Sequence, residues 1–133
     1  MYEIRVRGSF SSAHHLRGYR GSCEDVHGHN WVVEVTICGE HLDKTGMLID
    51  FRLAKKMLNS VIKLLDHKDL NKIKPFNKIN PTSENIAKYI FHAMSQKNKN
   101  SRINISCVRI WETKGNNAAY YLNKKDEYAF ISK

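Results

Sequence analysis

Alternation of apolar and polar positions along the chain predicts several β-strands. Residues 2–8 alternate between apolar and charged side chains, which is the pattern of a half-buried strand. Segments 31–40 and 103–113 are rich in β-branched and apolar residues, and they predict a second and a third strand. Segments 118–122 and 128–131 indicate one or two further short strands towards the C-terminus.

Two segments between the second and third strands have helical periodicity instead. Asp50 is a good N-cap, and apolar residues recur after it at spacings of three and four as far as Leu65. Segment 81–94 opens with a proline and the cap-type residues Thr82 and Ser83, and then places an apolar stripe on one side. The linker 68–82 is polar, basic and rich in turn formers. The chain therefore carries two amphipathic helices in succession.

The predicted order is β-β-α-α-β-β, with hairpins in place of regular strand–helix alternation. This order favours an α+β fold with an antiparallel sheet. Neither an internal repeat nor a boundary is visible, so residues 1–133 are expected to form one domain. A chain of 133 residues, 41% of them hydrophobic, is long enough to bury a core without disulfide bonds.

Charge and cysteine content narrow the class of protein. The net charge of +9 is compatible with nucleic acid, an anionic membrane surface or a phosphorylated small molecule as partner. Most lysines are scattered, however, which is typical of a solvated surface. No apolar run approaches the length of a membrane span, and the N-terminal residues lack the apolar stretch of a signal peptide. The three cysteines have no secretory context, so a cytoplasmic protein with free thiols is expected.

The segment CEDVHGHN, residues 23–30, carries the strongest chemical signal. Side chains two apart on a strand lie on the same face, so His27 and His29 can bind one ion together. A hairpin of the first two strands would bring His14 and His15 to this end. Three histidines with one open position are typical of a catalytic zinc site.

Other interpretations of these residues remain open. A Cys23 thiolate would close the zinc site and make it structural, although no CxxC pair accompanies it. Alternatively, Cys23 is a nucleophile, and Asp66 and His67 are the acid and imidazole that assist it. Asp66 and His67 are also compatible with an ordinary helix C-terminus.

Glu112 is the remaining candidate, at the end of the third strand. A strand-end glutamate is commonly a surface charge. A carboxylate in a pocket can instead accept two hydrogen bonds from an amidine-like edge, as in a 2-amino-4-oxo-pterin or a guanine. Cys38 and Cys107 lie in apolar strands and are expected to be packing residues. His41 and His92 have no spacing partner and are interpreted as structural or surface residues.

Six motifs together resemble those of the 6-pyruvoyl-tetrahydropterin synthase family. In chain order they are FSSAHHL, CEDVHGHN, GMLIDF, LDHKDLN, PTSEN and WET, and the resemblance covers residues 4–122. Three residues separate Cys23 from the HGH sequence. In this the chain looks most like the bacterial and archaeal 6-carboxy-tetrahydropterin synthases of queuosine and other 7-deazapurine biosynthesis.

The resemblance implies a role for each motif residue. It implies zinc binding by His14, His27 and His29. It implies catalytic proton transfer by Cys23, assisted by Asp66 and His67 of a neighbouring subunit. Glu112 would anchor the pterin ring, with help from Thr82 or Thr113. Basic residues near the motifs that could meet a triphosphate are Arg17, Arg20 and Lys114.

The resemblance also implies a fold and a reaction. The fold is the tunnelling fold, an antiparallel four-stranded sheet backed by two helices, in trimers that stack as a homohexamer. The reaction converts 7,8-dihydroneopterin triphosphate to 6-carboxytetrahydropterin, acetaldehyde and triphosphate, which makes the protein a zinc-dependent carbon–carbon lyase. One alternative is pyruvoyl synthesis, and another is a folate-pathway activity suggested by Glu24 beside Cys23. A basic zinc module that binds nucleic acid is the alternative of a different class.

Overall fold

Two long strands form the centre of the sheet. The computed structural model describes residues 1–19 and 25–122. Strand β1 (Tyr2–His14) and strand β2 (His27–Gly39) pair antiparallel over their full length. Both are longer than the sequence pattern indicated, because the continuous backbone ladder carries the polar ends that lack apolar alternation.

The sheet has five strands, so the prediction of four was wrong by one. Strand β4 (Asn104–Thr113) pairs with β2, and β5 (Asn116–Tyr121) pairs with β4, both antiparallel. The additional strand is β3 (Lys68–Asp69), which lies parallel to β1 at the outer edge. The resulting spatial order is β3-β1-β2-β4-β5. The predicted strand at 128–131 lies outside the described residues.

Both predicted helices are present and both begin at their predicted caps. Helix α1 (Phe51–Ile62) starts after Asp50, whose side chain accepts a hydrogen bond from the Arg52 backbone N–H. Helix α2 (Ser83–Lys97) starts after Thr82, whose side chain accepts from the Asn85 backbone N–H. A short 3₁₀ helix (Leu70–Lys72) follows β3. For the long elements, the predicted order β-β-α-α-β-β is confirmed.

The two helices cover one face of the sheet and bury its apolar side chains. Helix α1 packs on β1, and α2 packs on β4 and β5. The core includes Trp31, Val33 and Val35 of β2, which are fully buried. Each such apolar side chain contributes roughly 1.5–3 kcal/mol when it leaves water. In the described part of the chain, no helix is both long and apolar enough to cross a membrane.

Candidate metal and pterin site

Three histidines meet where the β1–β2 hairpin ends. His14 pairs directly with His27 across the two strands, and His29 pairs with Ser12. The ring centres lie 4.6 Å apart for His14 and His27, 4.7 Å for His27 and His29, and 5.2 Å for His14 and His29. The structure therefore brings together the three side chains to which the family resemblance assigned zinc. Their shared face follows from the two-residue period of a strand.

Backbone carbonyls fix the tautomers of two of these rings. His14 Nδ1 lies 2.8 Å from the carbonyl oxygen of Pro81, and His27 Nδ1 lies 2.7 Å from that of Asp25. A carbonyl oxygen only accepts hydrogen bonds, so each Nδ1 carries the proton and donates it. In the neutral rings, Nε2 then presents a lone pair. This is the arrangement in which metal-binding histidines are oriented by an outer partner.

The Nε2 atoms of His14 and His29 lack a hydrogen-bond partner within the described residues. Among residues 1–19 and 25–122, neither His14 Nε2 nor His29 Nε2, both buried, makes a hydrogen bond of acceptable geometry. A buried polar nitrogen without a partner is costly, and a metal ion would remove that cost. Burial is the main cause that lowers the pKa of His29; Glu112 opposes it, and His14 and His27 act in the same direction. A lowered pKa favours the neutral, metal-binding form of the ring.

Glu112 belongs to the same cluster. Its Oε1 lies 2.8 Å from His29 Nε2 and 3.3 Å from His14 Nε2. Ligand atoms of all four side chains lie within 4.8 Å of one another, so the group can hold a metal ion. The pairing of β4 with β5 shifts register between Trp111 and Thr113, which places Glu112 in a β-bulge. Bulges frequently redirect a side chain near an active site.

The start of helix α2 closes the cluster from the helix side. Ser83 Oγ donates a hydrogen bond to Glu112 Oε2 at 3.2 Å, a contact that sequence reasoning missed. The PTSEN motif was the only available signal for it. The oxygen of Thr82 accepts the capping hydrogen bond from Asn85 N at 3.1 Å, which gives this residue a structural task. Thr113 is exposed at the end of β4.

Asp66 and His67 form a pair at the outer edge of β1, and the backbone of Ser11 holds both residues. Ser11 N donates to Asp66 Oδ1 at 2.9 Å, and His67 N donates to the Ser11 carbonyl. His67 Nδ1 lies 3.0 Å from Asp66 Oδ1, and the His67 side chain is 82% exposed. The Ser11 N–H is the main cause that lowers the pKa of Asp66, with His67 adding to it. The pair is thus an ionised acid that contacts an exposed imidazole.

The remaining candidates divide into three groups. Cys23 and Arg20 lie outside the described residues. Arg17 uses its guanidinium to donate to the carbonyl oxygens of Phe76 at 2.9 Å and Ile79 at 3.3 Å, so it ties down the loop before α2. Lys114 is exposed in the turn between β4 and β5.

Two cysteines and two histidines outside the motifs were interpreted as packing, structural or surface residues. Cys38 and Cys107 are half-buried in β2 and β4, and burial is the main cause that raises the pKa of the Cys107 thiol. His41 and His92 are both exposed. The His92 ring packs beside Tyr120, with ring centres 5.5 Å apart.

Comparison with known proteins identifies relatives of similar sequence. A Pyrococcus furiosus protein named dihydroneopterin monophosphate aldolase is 38% identical over 109 residues, which cover 82% of this chain and 88% of that protein. The 6-carboxy-5,6,7,8-tetrahydropterin synthase of Haemophilus influenzae is 31% identical over 136 residues, covering 85% of this chain and 94% of the relative.

A solved structure gives the same result for the fold. The 6-pyruvoyl tetrahydropterin synthase of Caenorhabditis elegans superposes with a TM-score of 0.81 at 32% identity, covering 92% of this chain and 96% of that chain. The family model described as 6-pyruvoyl tetrahydropterin synthase matches residues 3–123. The chain therefore belongs to the 6-pyruvoyl tetrahydropterin synthase family, whose enzymes act on pterin substrates.

Proposed function

We propose that this protein is a cytoplasmic, zinc-dependent 6-carboxy-5,6,7,8-tetrahydropterin synthase of queuosine and other 7-deazapurine biosynthesis. It would convert 7,8-dihydroneopterin triphosphate to 6-carboxytetrahydropterin, acetaldehyde and triphosphate. The observation that carries the proposal is the convergence of three imidazoles, two of them with tautomers set by backbone carbonyls. The three-residue spacer between Cys23 and His27 and the Haemophilus influenzae relative support this product.

The donor set suits zinc. Imidazole nitrogens are common zinc ligands, and bond lengths near 2.0–2.1 Å give ligand–ligand separations of about 3.3 Å in a tetrahedron. Ligand atoms of the three histidines and Glu112 lie within 4.8 Å of one another, which is compact enough for one ion. His14, His27 and His29 would hold the ion, which when bound would supply Lewis acidity to hydroxyl groups on the substrate side chain.

Proton transfer falls to Cys23, His67 and Asp66. A thiol of ordinary pKa near 8.5 is mostly protonated at neutral pH, so Cys23 needs a base to accept its proton. His67 is exposed enough to reach a thiol outside its own core, and Asp66 holds the ring by its Nδ1. With Nδ1–H bound to the carboxylate, the free Nε2 is the atom that accepts the proton.

The exposed position of Asp66 and His67 suits an active site that is shared between two copies of the chain. We propose a homohexamer of two trimeric rings in which His67 serves the Cys23 of a neighbouring copy. Strand β3 covers β1 only at Ser12 and Ala13, and β5 forms the opposite edge of the sheet. Pairing of β1 in one copy with β5 in the next is a heterologous contact, which closes into a ring.

Recognition of the pterin ring is assigned to Glu112. Its carboxylate can accept two parallel hydrogen bonds from the 2-amino and ring N–H groups of a pterin. Thr113 is next to it in the chain and exposed. Thr82 lies at the start of α2, whose next residue, Ser83, contacts Glu112. Both threonines are proposed as further contacts to the ring.

Product identification and metal content together test the proposal. Incubation with dihydroneopterin triphosphate should give the carboxylated pterin and acetaldehyde by mass spectrometry; a pyruvoyl product would replace the assignment with the pyruvoyl reaction. Cys23→Ala should retain zinc and lose turnover, whereas His27→Ala should lose both. Release of zinc by Cys23→Ala would indicate a structural site closed by the thiolate, as expected of a nucleic-acid-binding module.

A second candidate is an aldolase that releases a hydroxymethyl pterin. Glu24 follows Cys23 directly and offers a carboxylate as an alternative base, and the Pyrococcus furiosus relative bears an aldolase name. Glu24→Gln separates the candidates: the carboxy synthase should retain its product in this variant. Formation of a hydroxymethyl pterin by the unmodified protein, and its loss in Glu24→Gln, would establish the aldolase.

A further inference from the structure

Glu112 has two tasks that exclude each other. As the anchor of a pterin ring, it must offer both carboxylate oxygens to the ring's amidine edge. In the structure, its Oε1 lies among the imidazoles instead, 2.8 Å from His29 Nε2 and 3.3 Å from His14 Nε2. A carboxylate cannot hold both arrangements at once.

The position of Oε1 is that of a fourth donor. A tetrahedral ion with bonds near 2.0–2.1 Å separates its ligand atoms by about 3.3 Å. The separation from His14 Nε2, 3.3 Å, matches this edge, the separation from His29 Nε2, 2.8 Å, is shorter than it, and all four ligand atoms lie within 4.8 Å of one another. Despite the short contacts, the described residues give neither His14 Nε2 nor His29 Nε2 a hydrogen bond of acceptable geometry. The carboxylate thus faces the same centre as the two lone pairs.

The second oxygen of Glu112 is held separately. Ser83 Oγ donates to Oε2 at 3.2 Å, so the carboxylate presents a single oxygen to the cluster. The Glu112 side chain is 28% exposed, against 2% for His14, so it forms the open wall of the site. Because the residue lies in a β-bulge, the regular ladder does not fix its backbone on both sides.

We propose that Glu112 is an exchangeable ligand: it completes the metal centre when no pterin is bound and moves to the ring when a pterin enters. This inference rests on the proposed metal site. The exchange would leave a position on the bound ion for the hydroxyl groups of the substrate side chain. It also makes ring binding and carboxylate coordination competitors for one side chain, which is a coupling between the two sites.

The first test is zinc affinity of the full chain, measured by competition with a chromophoric chelator. Glu112→Gln keeps the size of the side chain and an oxygen for Ser83, yet removes the anionic donor. It should bind zinc at least about tenfold more weakly, since even loss of an outer-shell partner costs 10–100-fold. Glu40→Gln removes the same charge at the far end of β2 and should leave the affinity unchanged.

The second test uses the unmodified protein and 6-methylpterin, a ring without side-chain hydroxyl groups. A saturating amount should weaken zinc binding several-fold, because the ring withdraws Glu112 and brings no side-chain hydroxyl group to replace it. The Co²⁺-substituted protein should show a change in its visible absorption on the same addition. This measurement stands even where Glu112→Gln fails to fold.

The outcomes separate the two proposals. Equal zinc affinity of Glu112→Gln and the unmodified protein would reduce Glu112 to an ion-pair partner of the histidines, and the exchange would be wrong. The exchange would also be wrong if saturating 6-methylpterin left zinc affinity unchanged or raised it. Retention of zinc by His27→Ala, in contrast, would overturn the metal site itself.

Discussion

Substitution of Thr82 tests whether this residue has a structural role or a substrate-binding role. Its oxygen accepts a hydrogen bond from Asn85 N at 3.1 Å and so caps helix α2. Thr82→Val keeps the shape of the side chain and removes the acceptor. Loss of a Ser or Thr cap costs typically about 1 kcal/mol. Thr82→Ser retains a hydroxyl oxygen and is the matched control.

The expected shift in melting temperature follows from the size of the chain. Unfolding entropy near 60 °C is about 2.1 cal/mol/K per residue, or about 0.28 kcal/mol/K for 133 residues. A loss of about 1 kcal/mol therefore lowers the Tm by about 4 °C. Thr82→Ser should stay within about 1 °C of the unmodified protein.

Differential scanning calorimetry, zinc affinity by chelator competition and steady-state kinetics on the same samples test the role of Thr82. The capped helix begins between Pro81, which orients His14, and Ser83, which contacts Glu112. We therefore expect Thr82→Val to lower the Tm and zinc affinity together. An unchanged Tm with a raised KM would refute the capping argument and leave Thr82 as a substrate contact alone.

Three further predictions concern packing, pH and metal. A Cβ at Gly39 would lie 2.5 Å from the carbonyl oxygen of Arg102, so Gly39→Ala should cost about 1–3 kcal/mol in a thermal melt; Gly28→Ala, with no atom within 4 Å, should not destabilise. The pKa of Asp66 is below its ordinary 3.8, mainly because Ser11 N–H binds the carboxylate. Its stabilisation is therefore complete above about pH 4, and the stability difference from Asp66→Asn should shrink as the pH falls through the lowered pKa; a difference that grows on acidification would contradict this. Removal of zinc by a chelator should lower the Tm. The loss in free energy of unfolding should be about 4 kcal/mol if the free zinc concentration before chelation was 1,000 times the Kd. An unchanged Tm would show that no ion is bound by the folded state.

The histidine cluster could be predicted from sequence because it depends on short-range rules. His27 and His29 share a face by the strand period, and a hairpin brings the end of β1 to them. The choice of His14 over His15 came from the resemblance to the family. The caps at Asp50 and Thr82 were equally local. In each case the deciding interaction lies within one element or between two elements that follow each other in the sequence.

Other features had no local signal. Strand β3 is only Lys68–Asp69 and exists because the edge of β1 offers it partners. His67 adopts a left-handed backbone with φ of 54°, which only a small fraction of histidines do, although histidine does so more often than most residues. The contact of Glu112 with the histidines depends on a bulge in the pairing of β4 with β5. Long-range pairing sets all three, and periodicity along one segment does not report it.

The four side chains of the histidine–glutamate cluster come from separate parts of the sequence, and this affects the order in which they assemble during folding. His14, His27 and His29 lie on two strands adjacent in sequence, which pair as one hairpin, whereas Glu112 lies far later on β4. Hairpins form in microseconds, while distant strands must first close long loops. We therefore expect the imidazole half of the site to assemble early, so that an ion bound there would stabilise the hairpin as it forms. The carboxylate joins late, so its contribution belongs to the unfolding rate.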